Sequence, residues 1–169
     1  MSPKGFSYLV EAMNNLSKNR DLSKRSLVIA FGEGGFIREE KIRIQKSGLS
    51  EYFRFLPYTS NVAGSIKSLD VVVMPSLWEA CGLLAMEVLV SGIPLIVTNC
   101  IGLREVTLDT PAYIVSTKNS TELSEGIRSF IVNDRKEVFK SFTKEAILRF
   151  DAKNQAYELK ELIHTIVVN

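Results

Sequence analysis

Apolar positions fall along this chain in two rhythms, short runs and longer stretches with helical spacing. The short runs are residues 27–31, 52–56, 71–74, 94–98 and 112–115, apolar but for Arg54 and the closing Thr98. Each has the length of one strand in a parallel sheet buried on both faces. Between them lie helical patterns: Phe6, Leu9, Val10, Met13 and Leu16; residues 37–48, with Gly48 as the stop; and a short segment at 61–68. A further helix starts at Gly82 and carries Leu83, Leu84, Met86, Val88 and Leu89. Residues 121–133 repeat the pattern, with Ser120 or Thr121 as N-cap, and the apolar positions from Val138 to Ile163 predict two more helices. Strands alternating with helices predict an α/β fold, a Rossmann-like parallel sheet flanked by helices.

Composition narrows the class. The chain has 169 residues, the size of a single domain, and 46% of them are hydrophobic, enough to build a packed core. No stretch approaches the roughly 20 apolar residues of a transmembrane helix, and the N-terminus lacks the apolar core of a signal peptide. Cys81 and Cys100 alone form no disulfide framework, so a cytoplasmic location is expected. The net charge is +2, and acids are mixed into both basic-leaning stretches, 18–25 and 38–46. These read as solvated helix faces, and no nucleic-acid partner is expected.

The densest chemistry lies in residues 70–106. Pro75 ends the strand at 71–74, because proline brings no donor to a ladder. A polar loop, 76–81, leads to the helix that starts at Gly82. Ser91-Gly92 stop that helix, and the next strand follows. In open α/β sheets, loops at the carboxyl ends of strands bind ligands. Two acids flank the helix start, Glu79 in the loop and Glu87 in the helix, with seven residues between them. Free N–H groups at a helix start attract anions, and Gly82 lets a phosphate come close. The acids themselves repel such a group, since like charges about 4 Å apart cost roughly 4 kcal/mol at an effective dielectric near 20. They suit neutral hydroxyls, which donate strong charge-assisted bonds to carboxylates. A diphosphate with hydroxylated rings at both ends, as in a sugar nucleotide, fits this layout.

The string Pro75-Ser76-x-x-Glu79-x-x-Gly82-Leu83-x-x-x-Glu87, followed by Gly92-x-Pro94-x-x-x-Thr98 and Gly102-Leu103-x-Glu105, carries a family resemblance. It resembles the donor-binding half of a family 4 retaining glycosyltransferase with the GT-B fold, and the likeness extends over nearly the whole chain. Cys81 stands where the family usually has an aromatic, Val88 where it has alanine, and Arg104 where it has proline.

The resemblance implies the C-terminal, Rossmann-like half of a two-domain enzyme of polysaccharide or glycoconjugate biosynthesis. That enzyme would transfer sugar from a UDP-, GDP- or ADP-sugar with retention of configuration. No cofactor is implied. No Asp-x-Asp occurs, so metal-independent transfer is expected. By the resemblance, Glu79 accepts donor-sugar hydroxyls at the reacting carbon, and Glu87 takes the ribose. Backbone N–H groups of Cys81, Gly82 and Leu83 hold the diphosphate, which Lys4 neutralises. Apart from the resemblance, Lys4 is an ordinary charged residue in a first helical turn, and Cys81 a small apolar filler.

Tyr58 follows the strand at 52–56 beside the expected base; stacking and a plain surface or cleft-wall role both remain open. Glu105 either caps a helix or faces the cleft. The glycine cluster Gly32-Glu33-Gly34-Gly35 lacks a full phosphate-binding fingerprint, and the resemblance implies that it lines the donor cleft as a wall.

The family places a strand ending in Gly-Arg just before the segment matching Pro3-Lys4-Gly5. In a 3-2-1-4-5-6 order that strand is central, between 27–31 and 71–74. This first strand, and the N-terminal acceptor domain, are therefore expected to be missing. The 169 residues alone are expected to be inactive, with a longer parent chain supplying the rest. Two alternatives stand beside this reading. One is a truncated or degenerate nucleotide-binding or partner module without catalysis. The other is a GT-B sugar-nucleotide 2-epimerase, which the single histidine, His164, disfavours.

Overall fold

The computed structural model describes residues 4–22, 26–32 and 34–168; Pro3 and Glu33 lie outside them. The elements begin with α1 (Phe6–Lys18), β1 (Val28–Phe31), α2 (Gly35–Lys46), β2 (Phe53–Leu56) and α3 (Val62–Lys67). They continue with β3 (Val72–Met74), α4 (Leu83–Val90), β4 (Leu95–Thr98), α5 (Arg104–Thr107) and β5 (Tyr113–Val115). Helices α6 (Ser120–Val132), α7 (Lys136–Arg149) and α8 (Ala152–Val168) complete the described chain.

Each expected strand forms and begins one residue after its apolar run. Helix α2 starts at Gly35 and ends at Lys46, two residues before the expected 37 and 48 at each end, and two further expectations change. The N-cap of α6 is Asn119 rather than Ser120 or Thr121: its side chain accepts the Glu122 N–H at 3.0 Å, and Ser120 is already helical. Helix α5 was not expected, because four residues are too few to show a helical period. Its first turn contains Glu105, but no side chain caps it.

All strand pairs are parallel, as right-handed strand–helix–strand crossovers produce. They form two separate ladders, β1–β2 and β3–β4–β5. Among the described residues no ladder joins the two, and no sixth strand lies between them. The break falls where the sequence expectation places the missing strand.

Successive strand residues feed opposite faces. On one face Ile96 packs with Leu9, Val10, Met13 and Leu16 of α1, and with Phe53, Val115, Leu123 and Ile127. That core contains strand residues from both ladders, so α1 bridges the break. Leu95 and Val97 point the other way, to Ile66, Met74, Val88, Leu89 and the fully buried Phe139 of α7. Arg149, at the end of α7, donates to the carbonyls of Leu108 (2.7 Å) and Glu105 (3.0 Å), which ties α5 in place. Helix α8 differs from the rest: Leu159, Leu162, Ile163 and Ile166 are all exposed, at the three- and four-residue spacing of one helical face. Among the described residues no helix is long and apolar enough to cross a membrane.

Candidate functional site

Three backbone segments meet at the carboxyl ends of β3 and β4. They are the turn at 4–5 that enters α1, the loop at 75–82 and the loop at 99–103. Two glycines make the meeting possible. Gly5 adopts φ 61°, and a Cβ there would sit 1.9 Å from the carbonyl oxygen of Pro75. Gly102 adopts φ 83°, and its Cβ would sit 2.2 Å from the carbonyl oxygen of Glu79. Neither approach is open to a residue with a side chain. Backbone bonds stitch the two loops together: Gly82 N–H donates to the Gly102 carbonyl (2.9 Å) and Glu79 N–H to that of Ile101 (3.3 Å).

This stitching fixes Glu79. Its side chain is 12% exposed, and its carboxylate lies against Lys4, whose Nζ is 2.8 Å from both Oε1 and Oε2. The hydroxyl of buried Ser76 donates to Oε1 at 2.7 Å. Buried Thr98, on the neighbouring strand β4, donates in turn to the Ser76 carbonyl. Ser76 and Thr98 belong to the quoted string, but the sequence reading gives them no task. The Ser-x-x-Glu spacing was the available signal, since serine hydroxyls commonly bond groups a few residues away.

The remaining candidates spread over an open shelf. Glu87 is exposed on α4, and its carboxylate makes no hydrogen bond or ion pair among the described residues. Cys81 is exposed, and Leu83 is 63% exposed. The first-turn donors of α4 are only partly available. Gly82 N–H already serves Gly102, and Leu83 N–H serves the Cys81 carbonyl at 2.6 Å. Leu84 and Ala85 follow as the remaining first-turn donors. Tyr58 is 80% exposed beyond β2 and shares no hydrogen bond or ring contact with Lys4 or Glu79 among the described residues. A separate shallow cleft between the end of α1 and α6 is lined by Asn15, Asp21, Glu125 and Arg128, away from this chemistry.

Comparison with known proteins bears on this arrangement. Over 159 residues the chain is 28% identical to an uncharacterised glycosyltransferase of Methanocaldococcus jannaschii, covering 86% of this chain and 40% of that protein. Its fold superimposes on Anabaena HepE, solved in complex with UDP and glucose, with a TM-score of 0.84. There the identity is 20%, over 98% of this chain and 46% of HepE. It also superimposes on the C-terminal domain of a group 1 glycosyl transferase from Francisella tularensis, with a TM-score of 0.72 and 21% identity. That match covers 88% of this chain and 80% of the other. The chain thus spans less than half of the archaeal relative and of HepE. Residues 2–149 match the family model described as glycosyl transferases group 1. With its parallel strands and flanking helices, Glu79 in the loop after β3 and Glu87 within α4, the chain belongs to that family.

Proposed function

We propose that this chain is the donor-binding half of a retaining glycosyltransferase that uses a nucleoside-diphosphate sugar without a metal ion. The observation that carries the reading is the Lys4–Glu79–Ser76 cluster, set at the start of α4 and at the carboxyl end of a parallel strand. Glu79 accepts hydroxyls of the donor sugar at the reacting carbon, and Glu87, exposed on α4, accepts those of the ribose. Lys4 and the α4 N-terminus balance the diphosphate. Because Gly82 and Leu83 direct their N–H groups within the chain, the donors that reach the phosphates are those of Cys81, Leu84 and Ala85. Tyr58 stands beside the base. That HepE was solved with UDP and glucose supports a sugar-nucleotide ligand. Titration calorimetry of UDP, GDP and ADP in EDTA tests the proposal. Binding of one of them is expected, and binding that requires Mg²⁺ or Mn²⁺ would contradict the metal-free part.

Two surfaces support a longer functional protein. The break between the β1–β2 and β3–β4–β5 ladders leaves backbone groups without a strand partner, and each such buried group costs about 1–3 kcal/mol. The exposed apolar face of α8 is the second. In this reading further polypeptide fills the break, covers α8 and supplies the acceptor site, so the 169 residues alone transfer no sugar. Turnover by the purified chain would contradict that.

A further inference from the structure

The residues assigned to the donor's diphosphate and to its sugar, Lys4 and Glu79, are bound to each other in the free chain. Lys4 Nζ sits 2.8 Å from both oxygens of Glu79, while the Ser76 hydroxyl holds Oε1 from the buried side. Two of the three ammonium donors are spent on Glu79, so Lys4 engages a diphosphate fully only by turning away from the carboxylate. When Lys4 turns, Glu79, which is only 12% exposed, keeps Ser76 but loses its charged partner. A carboxylate so placed needs replacement donors, because water reaches it poorly. An intact sugar nucleotide brings both replacements: phosphates for Lys4 and sugar hydroxyls for Glu79. A bare nucleoside diphosphate brings only the first.

Resting on the donor-site reading above, we infer that the Lys4–Glu79 ion pair makes this site discriminate the intact donor from its nucleoside-diphosphate product. After transfer the sugar hydroxyls leave Glu79, Lys4 returns to it, and the product is released. The discrimination is modest, because Lys4 is 65% exposed and exposed pairs contribute little.

Calorimetry of the 169-residue chain with UDP, GDP and ADP, and with the matching glucose nucleotides, tests this. Glu79→Gln is expected to tighten the bare nucleotide about two- to fivefold and to lower the affinity ratio of sugar nucleotide to bare nucleotide. In a Lys4→Met background the same change is expected to leave bare-nucleotide affinity unaltered, since the competition has gone. Two results would overturn the inference alone. One is bare-nucleotide affinity that Glu79→Gln leaves unchanged or weakens. The other is equal tightening in the Lys4→Met background, which would mean simple charge repulsion. Absence of binding by all three nucleotides would overturn the donor-site reading itself, and this inference with it. Melting curves of each variant keep loss of fold apart from loss of binding.

Discussion

Gly102 and Gly48 share a left-handed backbone, φ 83° and φ 69°, yet only one of them touches the site. A Cβ at Gly48 would meet nothing within 4 Å, whereas one at Gly102 would collide with the carbonyl of Glu79. Gly48→Ala should therefore cost only the strain of that backbone, about 1–2 kcal/mol, and leave ligand binding intact. Gly102→Ala should cost more in stability and also push Glu79 away, weakening the sugar nucleotide selectively. Urea denaturation and calorimetry of the pair check this; equal, purely thermodynamic effects of both would show that Gly102 does not position Glu79. At this scale the sequence was informative about identities and poor about contacts. Glu79, Glu87 and Gly82 follow from spacing. The bond of Gly82 N–H to Gly102 joins residues of two different loops, and no local pattern reports it.

Helix α6 shows what an element's boundary depends on. Asn119 caps it, and three residues on Glu122 turns back to accept from both the N–H (2.6 Å) and hydroxyl (3.2 Å) of Ser116. The N–H of Ser116 is the main reason the Glu122 carboxyl is held below its ordinary value of 4.5, with its hydroxyl second. A carboxyl whose folded value is depressed contributes stability that is fully present above the ordinary value and is lost as pH falls through the folded one. Glu122→Gln is accordingly expected to destabilise the chain at neutral pH, and the difference from wild type should shrink below about pH 4.5. Denaturation at a series of pH values measures it; a difference that persists unchanged into acid would contradict the assignment. Asn119→Ala should cost about 1 kcal/mol at neutral pH. Four candidate cap residues, Asn119, Ser120, Thr121 and Ser124, crowd this stretch. Composition alone could not choose among them, because the choice rests on which residue first turns helical.

Across the whole molecule, alternation of apolar runs with helical periods was enough to read the layered α/β fold, although only β4 is buried along its whole length. The break between the ladders was legible only through the family resemblance: periodicity shows which strands exist, not which pairs they lack. Helix α8 was predicted as a helix, but its exposed face follows from what the described chain does not offer it to pack against. The same separation holds for function. Family membership places the chain among group 1 glycosyl transferases, while the division of roles between the two acids is a proposal drawn from the resemblance. Titration of the wild-type chain and of Glu87→Gln with UDP, GDP and ADP in EDTA tests that division most directly. One bare nucleotide is predicted to bind the wild type, and Glu87→Gln to weaken it by about 1.5–3 kcal/mol, roughly a tenfold to hundredfold loss. Undiminished affinity in Glu87→Gln, or no nucleotide binding at all, would contradict the assignment of this shelf as the donor site.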